Sequence, residues 1–169
     1  LKRLTLNPVE EDEFIDKDIN IRDYLNEIIS SFKEISKKEF VFNFDQDSNP
    51  KKISKSIEIV YGLRNFIGNA NKFAKNSIFI NLKSDSEYTE LTVEDDGNGY
   101  PRDIISKIGE PYLKSNYSKY KSKEGLGLGL FIGKTLLEKN FASVNCRNSK
   151  TRSGAEVIIR WKNKELFNI

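Results

Sequence analysis

Apolar residues recur at two spacings along the chain, and the spacing changes from one segment to the next. Steps of three and four residues over 21–37, over 54–75 and after residue 126 predict amphipathic helices. Alternating apolar and polar residues predict strands over 40–44, 78–82, 91–96, 143–147 and 157–161. We therefore expect an α+β fold: a two-layer α/β sandwich whose mixed, mostly antiparallel sheet carries three main helices on one face.

Each predicted helix has an apolar stripe that should face the sheet. The stripes consist of Leu25, Ile28, Ile29, Phe32 and Ile35 in the first helix, Val60, Leu63, Ile67, Ala70 and Ala74 in the second, and Leu128, Ile132 and Leu136 in the third.

The second helix has an unusual polar face, formed by Asn65, Asn69, Lys72 and Asn76. Asparagine is a poor residue for a helix interior and costs roughly half a kcal/mol relative to alanine, because its amide competes for backbone hydrogen bonds. Two explanations stay open at this point. The amides serve a ligand that needs neutral oxygen atoms, or they are a tolerated surface in a chain that is rich in asparagine throughout.

Two glycine clusters bracket a long segment with little periodicity, from Gly97 to Gly125. The first cluster, 95–99, follows a predicted strand, and the second, 125–129, opens a predicted helix. Glycines let backbone amides approach an anion closely, and a helix N-terminus adds partial positive charge, so the second cluster is a candidate phosphate cradle. It lacks the Gly-Lys-Ser/Thr ending of a P-loop and the spacing of a dinucleotide fingerprint. An irregular segment of this length is typical of a functional lid.

Composition narrows the choice of function. The 169 residues include 28 basic and 25 acidic side chains, a net charge of +3, which does not favour nucleic acid as a partner. There is no histidine, so catalysis or zinc binding by histidine is excluded within this chain. The single cysteine, Cys146, lies in a predicted strand, where we expect a buried small hydrophobe.

The ends of the chain differ from its middle. We predict that residues 1–20 are the end of a preceding dimerisation helix followed by a linker, that 21–163 are one domain, and that 164–169 are a C-terminal tail. No apolar run approaches the ~20 residues of a membrane span. The first residue is Leu1, and we expect the chain to be a piece of a longer protein.

Taken together, the motifs resemble a known nucleotide-binding domain, that of the GHKL superfamily with its Bergerat-type fold. They are most similar to the catalytic domain of sensor histidine kinases, particularly the RegB/PrrB type. The N, G1, F and G2 boxes of that domain match Asn65-x-x-x-Asn69-Ala70-x-Lys72-Phe73, Asp95-x-Gly97-x-Gly99, Glu110-Pro111-Tyr112-Leu113-Lys114 and Gly125-x-Gly127-x-Gly129.

The resemblance implies ATP and Mg²⁺ as ligands. Asn69 would bind Mg²⁺ through its amide oxygen, with support from Asn65, and Lys72 would contact a phosphate. Phe73 would lie against the adenine, and Asp95 would accept a hydrogen bond from the adenine amino group. The remaining contacts to the nucleotide would come from Gly97, Gly99, Tyr112, Lys114, Gly125, Leu126, Gly127, Leu128 and Gly129.

Two positions separate this chain from related patterns. ATP-hydrolysing members of the superfamily carry a glutamate base where this chain has Asn65, which cannot act as a base at neutral pH. The resemblance therefore implies binding of ATP and transfer of its γ-phosphoryl group rather than hydrolysis. Histidine kinases commonly carry Gly-Thr late in the domain, and this chain has Gly154-Ala155 instead, which puts a contact from residue 155 in doubt.

The implied function is the catalytic domain of a two-component sensor histidine kinase. Its partners would be ATP, a histidine-bearing dimerisation domain of the same protein and a response regulator, in a homodimeric parent. The domain would lie in the cytoplasm, in a parent protein with or without an inner-membrane anchor. Two alternatives stay open: a GHKL protein-serine kinase of the anti-sigma type, and a degenerate nucleotide-binding module that regulates partners.

Overall fold

A five-stranded sheet forms one layer of the molecule. The computed structural model describes residues 19–45, 51–54, 56–108 and 126–166, with only the backbone of 126–128. Its strands are β2 (Glu39–Phe44), β4 (Ser77–Ser84), β5 (Tyr88–Asp95), β6 (Ser143–Asn148) and β7 (Ala155–Lys162). They lie in the order β2-β4-β5-β7-β6, in which β2 is parallel to β4 and every other pair is antiparallel. Two short strands, β1 (Ile19–Asn20) and β3 (Lys52–Ile53), pair separately.

Helices form the second layer, on one face of this sheet. They are α1 (Ile21–Lys33), α2 (Ile57–Phe73), the one-turn α3 (Arg102–Ile105), α4 (Leu126–Lys139) and the one-turn α5 (Asn163–Leu166). The N-cap side chains of Asn20 and Ser56 accept hydrogen bonds from first-turn amides of α1 and α2, which satisfies donors that a helix end leaves unpaired. The predicted mixed sheet with three main helices on one face is confirmed.

The core lies between the two layers. Ile78, Ile80, Leu91, Ile159 and Trp161 are each fully buried and lie on the helix side of their strands. Burying a side chain of this size contributes about 1.5–3 kcal/mol. The alternation that predicted the strands is therefore the alternation between this core and the outer face, the face of the sheet that carries no helix.

The first helix is shorter than the predicted 21–37. It ends at Lys33, and Ile35, assigned to its apolar stripe, is 79% exposed. The cause is tertiary. The Ser36 hydroxyl donates to Asn71 Oδ1 at 2.6 Å, and the Lys38 ammonium donates to the backbone carbonyls of Asn71 and Lys72. These bonds hold the segment after α1 against the end of α2, where a continuing helix could not make them.

The apolar stripes of α2 and α4 were predicted only in part. Leu63, Ile67, Ala70 and Ala74 are buried as expected, but Val60 is half-buried, and Ile59 and Phe66 complete the stripe. In α4 the predicted Ile132 is 37% exposed, Leu136 is half-buried, and Leu130 and Leu137 are buried instead. The α4 stripe is rotated because Gly133 packs against Phe66 of α2 and so turns that side of α4 inward.

The segment predicted to be irregular, 97–125, begins with structure. Residues 102–105 form α3, and Ile104 is fully buried; residues 109–125 lie outside the described part of the chain. At the other end, Leu166 of α5 is buried. Among the described residues, no helix is both long and apolar enough to span a bilayer.

Candidate functional site

A cavity of about 500 Å³ opens between the C-terminal half of α2 and the adjoining ends of β5 and β7. Its wall is apolar except where a few polar side chains and the turn after β5 meet. It is lined by Phe66, Asn69, Ala70, Lys72, Phe73, Val93, Asp95, Asn98, Gly99, Tyr100, Pro101, Ala155 and Val157. Such a cavity, mostly apolar with a few convergent polar groups, is typical of a small-molecule site.

Asp95 is the buried acid of this cavity, with 3% of its surface exposed. Its Oδ1 accepts hydrogen bonds from the backbone amides of Gly97 at 2.8 Å and Ala155 at 3.4 Å. Burial raises the pKa of Asp95, and these two amides oppose that shift. No described group donates to Oδ2, so this oxygen is available to a donor on a ligand.

The turn after β5 takes its shape from Asn148 on β6. The Asn148 side chain accepts from the Tyr100 amide at 2.6 Å and donates to the Tyr100 carbonyl at 3.1 Å. Gly99 has φ +78°, and a Cβ at this position would lie 2.7 Å from Asn148 Oδ1. Both constraints favour glycine, and together they fix the rim of the cavity.

Asp96 connects this turn to the end of α2. Its Oδ1 accepts from the backbone amides of Lys75 at 2.8 Å and Asn76 at 3.0 Å. Burial acts to raise its pKa, but the amides of Asn76, Ser77 and Lys75 outweigh that effect and lower it. Asp96 therefore caps the segment after α2 and holds the end of α2 against the end of β5.

The asparagine face of α2 points toward α4. Asn69 lines the cavity, and its Nδ2 is buried with no hydrogen-bond partner among the described residues. Asn65, one turn earlier, donates from Nδ2 to the Tyr61 carbonyl at 2.7 Å. A Cβ on Gly129 would lie 3.4 Å from the Asn69 amide and 3.7 Å from Asn65 Oδ1. The structure thus brings Asn65, Asn69 and Gly129 together.

Lys72 and Phe73 complete the described part of the predicted set. Both line the cavity; Lys72 is exposed, Phe73 is half-buried, and the Lys72 ammonium lies 5.7 Å from the centre of the Phe73 ring. Gly97 packs against the Phe73 carbonyl, since a Cβ there would lie only 2.2 Å from that oxygen. Gly97 therefore brings the turn after β5 directly against the end of α2.

Part of the predicted site cannot be placed. Tyr112, Lys114 and Gly125 lie outside the described residues. Leu126, Gly127 and Leu128 form the first turn of α4, but their side chains are outside the description as well.

Tyr100 and Cys146 form the wall behind the turn. The Tyr100 hydroxyl and the Cys146 thiol are hydrogen-bonded to each other, and burial raises the pKa of both groups, that of Cys146 to about 12. The thiol is therefore protonated at neutral pH. Cys146 was predicted to be buried and is half-buried, packed against the core.

Several residues of the site were not predicted. Asn148, Tyr100 and Phe66 were missed, because their roles depend on packing between segments that are distant in the sequence. Ala155, which was in doubt, does contact Asp95, through its backbone amide rather than its side chain. The signal in the sequence for that contact was Gly154, because the absence of a side chain lets the segment before β7 approach the end of β5.

The geometry defines what the cavity can bind. A flat, apolar base with an exocyclic amino group fits between Phe73 and the Asp95 carboxylate. Asn69 and Lys72 lie where a charged extension would follow. The unpartnered Asn69 Nδ2 is an N–H donor and fits an acceptor oxygen on a ligand, whereas a metal ion could bind only the amide oxygen of this side chain. The described residues contain no cluster of three or more Asp, Glu, Cys or His side chains. Such a site fits Mg²⁺, which takes many of its ligands from water and phosphates.

A known family matches this chain over residues 54–165, the family of Histidine kinase-, DNA gyrase B-, and HSP90-like ATPases. The chain belongs to that family. Within it, the chain is similar to sensor histidine kinases: RegB of Cereibacter sphaeroides is 39% identical over 97 residues, and SrrB of Staphylococcus aureus is 29% identical over 100. These matches cover 54% and 58% of this chain but only 21% and 17% of the relatives, so the chain spans about a fifth of their length.

Solved structures share the fold. The nucleotide-free catalytic domain of the histidine kinase ThkA aligns with a TM-score of 0.70 at 20% identity, covering 86% of this chain and 96% of that one. Full-length ShkA, in complex with AMPPNP, aligns with a TM-score of 0.67 at 19% identity, over 85% of this chain and 30% of that one. The fold is thus that of histidine-kinase catalytic domains.

Proposed function

We propose that this chain is the ATP-binding catalytic domain of a sensor histidine kinase. It would transfer the γ-phosphoryl group of Mg-ATP to a histidine on a dimerisation domain of the same protein, for relay to a response regulator. The observation that carries the proposal is the pairing, in one cavity, of the buried Asp95 carboxylate with the orphaned amide of Asn69. The family and the relatives' names support it.

The residues divide the work along the cavity. The Asp95 carboxylate accepts a hydrogen bond from the adenine amino group. The backbone amides of Gly97 and Ala155 set the orientation of this carboxylate. Phe73, Val93 and Val157 give the base an apolar surface and exclude water. Lys72 supplies positive charge where the phosphates follow.

Magnesium would be held by the Asn69 amide oxygen together with phosphate oxygens and water. When bound, the ion neutralises charge on the phosphates. The buried, unpartnered Nδ2 of Asn69 costs about 1–3 kcal/mol, and a phosphate oxygen that accepts a hydrogen bond from it would remove that cost. Because Asn65 donates to the Tyr61 carbonyl and carries no carboxylate, the described site holds no base at that position to activate water. The γ-phosphoryl group is thereby preserved for a protein acceptor.

Replacement of Asn69 tests the proposal. Asn69→Ala should abolish the increase in ATP affinity that Mg²⁺ gives the wild type, because the amide oxygen is its protein ligand. The measurement is calorimetric titration of ATP with and without Mg²⁺. Asn145→Ala, on an exposed position of β6, is the control and should bind as the wild type does. An Asn69→Ala titration equal to the wild type in both conditions would refute the metal role.

A further inference from the structure

The turn between β6 and β7, residues 149–154, is built around one hydroxyl. The backbone closes with a hydrogen bond from the Ser149 amide to the Gly154 carbonyl at 2.7 Å. Ser149 Oγ accepts from the amides of Thr151 at 3.2 Å and Arg152 at 3.0 Å. The same hydroxyl donates to Glu94 Oε2 at 2.8 Å, so the turn is tied to the end of β5.

Arg152 makes the second tie to Glu94. Its guanidinium Nε lies 2.5 Å from Glu94 Oε1, and its Cζ lies 3.5 Å above the centre of the Phe79 ring. Glu94 is only 8% exposed although it lies on the outer face, and its partner across the strand pair is another buried acid, Glu156. Burial raises the pKa of Glu94 above its ordinary value, and the neighbouring Glu156 carboxylate adds to the shift.

Each of the two acids has its own cation. Arg147 donates from Nε at 2.9 Å and from Nη2 at 2.6 Å to Glu156 Oε1. Loss of one partner of a buried ion pair is costly, because it leaves a charge without compensation. Without Arg152, the Glu94 carboxylate would lie beside Glu156 with the Ser149 hydroxyl as its main remaining partner.

The same turn contacts β5 on its other face, inside the cavity. The Gly154 backbone is so close to Asp95 that a Cβ there would lie 1.9 Å from the Asp95 carbonyl. The next residue, Ala155, donates its amide to Asp95 Oδ1. Glu94 and Asp95 are adjacent and therefore point to opposite faces of the sheet. The turn thus holds the end of β5 from both sides.

We propose that Arg152 is a positioning residue for nucleotide recognition: its ion pair with Glu94 fixes the turn and thereby the orientation of the Asp95 carboxylate toward the base. This inference rests on the proposed function, since it assigns a determinant of base selectivity to that same cavity. Arg152 itself does not line the cavity.

Base selectivity distinguishes positioning from a general structural role. Inosine triphosphate carries a carbonyl where ATP carries the amino group, and an N–H at ring position 1 where ATP has an acceptor. The ratio of the two affinities therefore reports on the polar groups at this edge of the base, and an Asp95→Asn variant isolates the part that is due to Asp95. Arg152→Ala should lower the preference for ATP over inosine triphosphate about fivefold, the order expected when one hydrogen bond is weakened. Arg152→Lys, which keeps the charge but not the planar guanidinium, should recover part of the preference.

The chain offers a matched control at the other end of the outer face. Arg160 also joins an ion pair on β5, with Glu90 at 3.9 Å, and its Cζ lies 3.7 Å above the Tyr88 ring. Arg160→Ala removes the same charge and the same kind of stacking but is remote from Asp95. It should leave the preference at the wild-type value, with thermal unfolding measured for all variants.

The outcomes separate the two proposals. An unchanged preference in Arg152→Ala, or an equal loss in Arg160→Ala, would overturn the role of Arg152. If Arg152→Ala unfolds, Arg152→Lys is used for the same test. An unchanged preference for ATP over inosine triphosphate in Arg152→Lys would then overturn the role of Arg152. If the wild-type chain binds no adenine nucleotide, the proposed function is refuted instead. If Asp95→Asn loses the preference for ATP while Arg152→Ala keeps it, only the role of Arg152 is refuted.

Discussion

At the scale of single residues, the cavity depends on a carboxylate that is held by backbone rather than by side chains. Asp95 Oδ1 accepts hydrogen bonds from the backbone amides of Gly97 and Ala155, and Oδ2 stays available to a donor on a ligand. An alanine at position 155 therefore does not remove support for the acid, because the contact uses an atom that every residue other than proline possesses. The departure from the Gly-Thr pattern is compatible with an ordered acid.

The raised pKa of Asp95 gives this acid a pH signature. The hydrogen bond from the adenine amino group is stronger to the ionised carboxylate than to the neutral acid, and burial raises the pKa of Asp95 above 3.8. The preference for ATP over inosine triphosphate should therefore begin to fall, on acidification from about pH 7, at a higher pH than for an ordinary aspartate. The ratio of the two dissociation constants measures this, because phosphate protonation cancels.

Asp95→Asn is the control for that titration. An amide both donates and accepts, so the variant should lose about tenfold or more of the preference and show no dependence on pH. A wild-type ratio that stays constant down to pH 4, near the ordinary pKa of aspartate, would contradict the role of the carboxylate.

At the scale of secondary structure, the contact between α2 and α4 carries the site, because it brings Gly129 to Asn69. Gly62 of α2 makes it possible: a Cβ there would lie 2.7 Å from Leu137 Cγ. Gly62→Ala should therefore destabilise the fold by about 1–3 kcal/mol through overpacking. Urea unfolding measures the change.

Gly68 on the same helix is the matched control. A Cβ there would meet only the Phe32 ring, at 3.6 Å, which is ordinary contact. Gly68→Ala should be neutral or stabilise by up to about 1 kcal/mol, through helix propensity. Equal effects of the two substitutions would show that the helices do not pack as described.

The sequence pattern predicted the presence of the helices and strands better than it predicted which side of each helix is buried and where each helix ends. The strands and most of the polar face of α2 follow from periodicity, since alternation and three-to-four spacing report burial directly. Asn76 was assigned to that face but lies beyond the end of α2, which ends at Phe73. The rotation of α4 does not, because Ile132 and Leu130 are equally apolar and only Gly133 against Phe66 decides between them. The end of α1 was missed for a similar reason, because Ser36 and Lys38 bond to a distant helix end.

The candidate site shows the same division. Asn65 and Asn69 were singled out because asparagine is unusual within a helix, whereas the roles of Lys72 and Asp95 were implied by the resemblance of the motifs to a family. Their contacts to a ligand stay predictions. Asn148 contacts Tyr100 in the turn after β5, and Arg152 pairs with Glu94 on β5. Both contacts join segments that are distant in the sequence, and an exposed polar residue near a turn has many ordinary explanations in a sequence.

At the scale of the whole molecule, the chain contains no histidine. ATP binding by this chain and transfer of the γ-phosphoryl group to a histidine can therefore be measured separately. Incubated alone with radiolabelled ATP, the chain should acquire no phosphohistidine. The proposed function requires a histidine-bearing dimerisation segment, and addition of such a segment should give label on its histidine, stable to base and labile to acid. Labelling of a serine in a partner protein would favour the serine-kinase alternative, and ATP binding with no transfer to either would favour the regulatory module.

The parallel pairing of β2 with β4 has a consequence for how the chain can vary. Parallel neighbours need a long crossover between them, and in this fold the crossover is α2, the helix that carries Asn69. A slip of one residue in this pairing would turn Phe40 and Phe42 away from the core. Substitutions in α2 thus affect either the cavity or the packing of its buried face. An insertion or deletion in α2 would instead shift the register of the edge strand β2, so the length of the helix is constrained independently of its composition.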